Sequence, residues 1–104
     1  MTRQKTIDKI SEQLKKVPLA ETWLFGSSAR GDYRENSDID LLILLPDSLS
    51  TNERIDYQQE IAGLLWEIEM ESGYDISPVI LQNRIWNQRL TPFTINVLQD
   101  RIRI

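Results

Sequence analysis

Apolar residues recur at Ile7, Ile10, Leu14 and Val17 with charged and polar residues between them, and Pro18 follows. That spacing predicts an amphipathic opening helix closed by the proline. Its basic residues, Arg3, Lys5, Lys9, Lys15 and Lys16, are expected to face solvent. The run Glu21-Thr22-Trp23-Leu24-Phe25 then reads as a strand that stops at Gly26. The polar stretch from Gly26 to Ser37 reads as a long loop, or a loop holding a short helix. Asp38-Ile39-Asp40-Leu41 alternates with period two and becomes wholly apolar up to Pro46, the pattern of a strand running from an accessible end into a sheet covered on both faces.

Ser50-Thr51-Asn52-Glu53 has the form of a capping box. Tyr57, Ile61, Leu64, Leu65 and Ile68 make one stripe before Ser72-Gly73 ends the helix, the longest in the chain. Tyr74 to Leu81 reads as a third strand, with Pro78 at a bulge or an edge because proline cannot donate to the ladder. After a polar link, Thr91-Pro92 opens a last helix through about Leu98, and Arg101-Ile102-Arg103-Ile104 alternates like a short strand. The fold class expected is α/β or α+β: helix, strand, loop, strand, helix, strand, helix, with no repeat or linker.

Composition narrows the chemistry. The chain has 104 residues, 12 Lys and Arg against 16 Asp and Glu, and no Cys or His. A thiolate or imidazole zinc site, a histidine base, a Ser-His-Asp or Cys-His pair and a disulfide framework are all excluded. What remains is carboxylates, hydroxyls, amines, backbone groups and hard metal ions. The length predicts a single domain, 1–104, burying roughly 60–70% of its unfolded surface. The longest apolar run, Leu41 to Leu45, is far too short to span a bilayer, and the charged N-terminus is unlike a signal peptide. A soluble, cytoplasmic protein is expected. Net charge of −4 argues against nucleic-acid binding by phosphate neutralisation.

Two features need a physical explanation. Asp38 and Asp40 lie two apart on a strand, so both carboxylates point to one face and repel unless something positive sits between them. A hard divalent cation is the ordinary way to offset such a pair. Directly after the preceding strand comes Gly26-Ser27-Ser28-Ala29-Arg30-Gly31. Glycine permits close backbone approach, amides and hydroxyls can surround phosphate oxygens, and Arg30 adds a charge. Anion and cation sites so close together suggest a metal-bound polyphosphate. If the strand after Asp75 lies beside that of Asp38 and Asp40, Asp75 completes a three-acid cluster able to hold two metals about 3.5–4 Å apart. It would serve there as third ligand or as base.

Leu24-Phe25-Gly26-Ser27-Ser28-Ala29-Arg30-Gly31 followed by Ser37-Asp38-Ile39-Asp40-Leu41-Leu42-Ile43 resembles the signature of the minimal nucleotidyltransferases of the polymerase-beta superfamily: Gly-Ser, ten residues, Asp-x-Asp. The likeness extends to the leading helix, the third acid at Asp75 and the closing helix at Thr91-Pro92-Phe93. It implies a nucleotidyltransferase fold and Mg²⁺-dependent transfer of a nucleoside monophosphate from an NTP to a hydroxyl, with Gly26 and Ser27 on the phosphates, Ser28 and Arg30 nearby, Asp38 and Asp40 on the metals, and Asp75 as third metal ligand or base. Small stand-alone members resemble the antitoxin of HEPN/minimal-nucleotidyltransferase toxin-antitoxin pairs. That implies ATP as substrate and adenylylation of a HEPN toxin tyrosine, in a hetero- or homo-oligomer. No helical domain follows to grip base or acceptor, which favours an acceptor brought by a protein partner.

Plainer roles stand beside these. Arg30 can pair with Asp32 or Glu35, Ser37 can turn the chain before the strand, and Tyr33 can pack on its neighbours instead of stacking a base. Trp23 and Trp86 belong to the core or its margin. Trp66, Ala62 and Met70 form a second apolar strip on the long helix, which is either a second buried side or a docking surface. A docking surface would suit a reading from another class: a non-catalytic module that neutralises or tethers a partner by contact alone. A third is a small-molecule or nucleic-acid nucleotidyltransferase with a separate acceptor-binding subunit.

Overall fold

The computed structural model describes residues 1–31, 37–88 and 91–104, the side chains of Ser27 and Ser28 excepted. Asp32, Tyr33 and Glu35 lie outside the described residues. The first helix, α1, spans Arg3–Leu14, and the Thr2 side chain caps it by accepting from the Lys5 N–H. Strand β1, Glu21–Leu24, leads through Gly26 into the one-turn helix α2, Ser27–Arg30, and β2 follows at Ile39–Leu45. The long helix α3, Thr51–Ser72, opens on the full capping box of Ser50 and Glu53 and closes at Gly73 in the left-handed conformation. β3 spans Ile76–Gln82, and the polar link after it holds an unexpected short helix, α4, Asn83–Gln88. Helix α5, Pro92–Asp100, is capped by Thr91 with proline in its first turn, and β4 is Ile102–Arg103.

The four strands form one mixed sheet in the order β3-β2-β1-β4. β1 pairs antiparallel with β2 and with β4, while β2 and β3 are parallel, joined by α3. Pro78 stands opposite Leu41 in an unbroken register. Of the bulge and the edge, it is therefore the edge that accommodates the proline, since β3 is the outermost strand.

Alternation along β2 assigns its two faces. Ile39, Leu41, Ile43 and Leu45 join Ile7, Ile10 and Leu14 of α1 and Ile61, Leu65 and Ile68 of α3 in the larger core. Leu42 and Leu44 meet Trp86 of α4 and Val97 of α5 on the opposite face, with Trp23 and Phe25 packed at the margin. All five residues from Leu41 to Leu45 are buried, as their continuous apolar run requires of a strand covered on both sides. Asp38 and Asp40 continue the register of Leu42 and Leu44. The acids thus belong to the face covered by α4 and α5, at its uncovered end.

Candidate active site

The antiparallel β1–β2 pair brings the Gly26 turn against Asp40. Leu24 pairs with Leu41, so Phe25 is level with Asp40, and the Phe25 N–H donates to the Asp40 carbonyl at 3.2 Å. Gly26 has φ +65°, and a Cβ placed there would stand 3.0 Å from Asp40 Oδ2. The position thus needs glycine twice, for its left-handed backbone and for the space its missing side chain leaves to the carboxylate. The backbone of Ser27 and Ser28 then enters α2, whose Ala29 and Arg30 N–H groups both donate to the Gly26 carbonyl at 3.1 Å.

Asp40 is half-buried, and its carboxyl is pushed above the ordinary value of 3.8 by burial first and by the Asp38 charge second, with the Arg3 charge pulling the other way. Like charges on one strand face thus repel as expected. Two hard carboxylate oxygen donors, already in mutual repulsion beside a bare glycine backbone, suit a divalent cation of the Mg²⁺ kind.

Asp75 precedes β3, and its carbonyl accepts from the Ile39 N–H at 2.9 Å. The strand that follows it lies beside β2. The Asp75 side chain is exposed, and among the described residues no group of three acids stands close enough together to hold a metal ion. Level with Asp40 on β3 is Ser77, whose hydroxyl donates to Asp38 Oδ2 at 3.0 Å. Nothing in the sequence pattern marked Ser77, because its part depends on the parallel register.

Arg3 corrects an expectation. It does not face solvent with the other basic residues of the opening helix but is 6% exposed. Its guanidinium donates to the carbonyls of Ser37 at 2.5 Å and Asp38 at 2.9 Å and lies 5.7 Å from the centre of the Tyr74 ring. A buried cation thus ties the start of α1 to the strand that carries the acids. Arg30 pairs with Asp100 of α5 at 3.0 Å. Trp86 is in the core, as expected, while Trp66 is 61% and Met70 67% exposed. The long helix is therefore not buried on two sides, and no helix among the described residues is long and apolar enough to cross a membrane.

Comparison with known proteins places the chain in a family. The model of the nucleotidyltransferase domain family matches residues 7–103. Two proteins of Methanocaldococcus jannaschii, both named as candidate protein adenylyltransferases, are similar. MJ0604 is 30% identical over 96% of this chain and 95% of its own length. MJ0141 is 39% identical over 60% of this chain, a match spanning 59% of that protein. Among solved structures, a minimal nucleotidyltransferase superposes with a TM-score of 0.64 at 21% identity, covering 100% of this chain and 97% of that one. A toxin-antitoxin structure with AMP-PNP gives 0.59 at 23% identity over 92% of this chain and 69% of that one. A complex of a tri-AMPylated Shewanella oneidensis HEPN toxin with its minimal nucleotidyltransferase antitoxin gives 0.52 at 20% identity, with coverage of 96% and 69%. At these identities the structural likeness speaks for the fold, which is the nucleotidyltransferase fold.

Proposed function

Because this chain belongs to the nucleotidyltransferase domain family, we propose that it transfers AMP from ATP to a hydroxyl of a partner protein, as the antitoxin of a HEPN/minimal-nucleotidyltransferase pair. The observation that carries the reading is the Asp38–Asp40 pair on one face, with the Gly26 backbone pressed against the Asp40 carboxylate. The family relatives named for protein adenylylation and the structural neighbours built with AMP-PNP or an AMPylated toxin support the nucleotide and the acceptor.

In this reading Gly26 and Ser27, with Ser28 and Arg30 near them, hold the nucleotide phosphates. Asp38 and Asp40 would hold Mg²⁺, and Asp75, whose exposed side chain forms no three-acid group with them, would serve as base or, turned toward them, as third ligand. The bound ions would neutralise charge on the phosphates. The acceptor oxygen attacks the α-phosphorus, the bond to the bridging oxygen of the β-phosphate breaks, pyrophosphate leaves, and the hydroxyl proton passes to a carboxylate or to water. The chain's own contribution is positioning: Arg3 fixes the backbone of Ser37 and Asp38, Ser77 orients the Asp38 carboxylate, and Gly26 keeps the phosphate turn against Asp40.

Incubation with α-labelled ATP, Mg²⁺ and a HEPN partner tests this. Label should move to the partner with the native chain and fail to move with Asp38→Ala or Asp40→Ala. No transfer, or equal transfer by those variants, overturns it. One observation favours the contact-only reading: the exposed Trp66 and Met70 on α3, a kind of side chain enriched at interfaces. Under that reading the aspartate variants still neutralise the partner, and Trp66→Ala does not.

A further inference from the structure

Helix α3 has a second face that the sheet does not use. Ile55, Gln59, Ala62, Gly63, Trp66 and Met70 fall at i, i+4, i+7, i+8, i+11 and i+15, so they line one side of the helix, away from Ile61, Leu65 and Ile68 in the core. All six are exposed, with Ile55 at 41%, Trp66 at 61% and Met70 at 67%. We propose that this face is the docking site for a protein partner that presents an amphipathic helix edged with Lys or Arg. The inference stands whether or not the chain transfers AMP, since the acids lie on the other face of the sheet.

From Ile55 to Met70 the strip runs about 22 Å along the helix axis, the length of four turns of a second helix laid against it. The indole and thioether left in water toward one end of it are side chains that interfaces favour. Gly63 adds an independent observation. Glycine weakens the interior of a helix, and a Cβ built at Gly63 meets nothing within 4 Å, so the packing of this chain does not call for it. With Ala62 beside it, Gly63 makes a shallow place midway along the strip. A crossing helix can approach there toward the lower end of the roughly 8–10 Å at which helices pack.

Charge then selects the occupant. Along one edge of the strip stand Asp56, Glu60 and Glu67, all exposed, and none of them meets a cation among the described residues. On the other edge Gln58 is neutral and Glu69 is turned inward, its Oε1 accepting from the Ile76 N–H at 2.7 Å. A helix that lays apolar residues on the strip therefore gains from basic residues along one of its own edges. A second copy of this chain supplies no such edge. Its α3 holds six acids, Glu53, Asp56, Glu60, Glu67, Glu69 and Glu71, against the single cation Arg54, so two such faces repel. An anionic lipid surface is disfavoured for the same reason, since helices that lie on one carry Lys and Arg beside the apolar face.

Two synthetic helical peptides that share a leucine strip with alanine at its centre, one edged with lysine and the other with glutamate, test this by isothermal titration against the full chain. The native chain should bind the lysine-edged peptide, more weakly as salt is raised, and leave the glutamate-edged one free. Trp66→Ala should weaken binding roughly thirty-fold or more. Glu60→Lys with Glu67→Lys should exchange the preference. Gly63→Gln should raise Tm by roughly 2–8 °C and yet weaken binding by roughly ten-fold, because a side chain that holds the helices apart forfeits part of their contact. A merely structural glycine does not show that combination. Neither peptide bound, both bound alike, or a preference unmoved by the two lysines overturns the proposal, and so does Gly63→Gln binding as the native chain does. Sedimentation completes the test. A dimer that Trp66→Ala dissolves assigns the face to a second copy, and co-sedimentation with phosphatidylserine vesicles that the same variant abolishes assigns it to a membrane; either result overturns the proposal. None of these outcomes bears on transfer by Asp38 and Asp40.

Discussion

Replacing Asp40 by Asn should abolish transfer and yet make the metal-free protein more stable. Two residues along a strand separate the Asp38 and Asp40 carboxylates by roughly 7 Å. At that distance their repulsion is about 0.6 kcal/mol in water and about 2.4 kcal/mol at an effective dielectric of 20. Asp40 is only half-buried, so solvent screening brings the value toward the lower part of that range, and the favourable Arg3 charge subtracts from it. A net gain of about 1 kcal/mol is left, which for a chain of this size raises Tm by roughly 4–8 °C. The dependence on pH separates this cause from general repacking. The folded state holds the Asp40 carboxyl above its ordinary value of 3.8, so its charging opposes folding. That penalty is absent below 3.8 and develops fully once the pH has risen through the raised value. Urea unfolding in EDTA from pH 3 to 7.5 should therefore show Asp40→Asn matching the native chain at the acid end and exceeding it at neutrality. Added Mg²⁺ should then raise the native chain alone. A variant that is less stable at neutrality, or as advantaged at pH 3 as at pH 7.5, would refute the reasoning.

Gly26→Ala should lower stability by about 1–2 kcal/mol from the left-handed backbone alone, visible as a lower Tm. It should also depress transfer more than that loss explains, because the new Cβ displaces the Asp40 carboxylate. Ser77→Ala removes the hydroxyl bonded to Asp38; with the pair partly solvated, about 0.5–1.5 kcal/mol, or roughly two- to ten-fold in kcat/KM, should be lost at unchanged Tm. Ser50→Ala removes the α3 capping box and should cost about 0.5–2 kcal/mol in urea unfolding while transfer per folded molecule stays the same. Trp66→Ala with Met70→Ala should shift stability by no more than about 0.5 kcal/mol, as for other exposed positions, so any loss of partner binding in a pull-down reports contact and not unfolding.

The parts of the site that were legible in the sequence are those made by neighbours in the chain. Gly26 and Asp40 meet through one antiparallel pairing of strands adjacent in the chain, so both belong to one short stretch of sequence. The period-two start of β2 and its apolar continuation gave the burial of each face directly. Arg3 was misread because an arginine on an amphipathic helix is ordinarily a solvated one, and only the approach of Ser37 and Asp38, more than thirty residues away, supplies carbonyls to receive it. Ser77 was missed for a similar reason, since its partner is set by a parallel register across the α3 crossover. The short helix α4 was hidden in a polar run whose single buried side chain is Trp86, too little periodicity to mark a helix.

The acids and the exposed Trp66–Met70 stripe lie on opposite faces of the sheet. The acids lie on the face that carries α4 and α5, whereas α3 covers the other face with Ile61, Leu65 and Ile68 turned inward. Trp66 and Met70 consequently point away from the acids, on the far side of the core. A partner held by that stripe does not by that contact occupy the acceptor position, and a partner delivering its hydroxyl to Asp38 and Asp40 leaves the stripe open. Under the proposed function, transfer and neutralisation by contact would thus be separable, as activities of two surfaces. Aspartate variants and Trp66 variants fail in different assays if both surfaces are used, and in the same assay only if the partner spans the edge of the sheet to reach both.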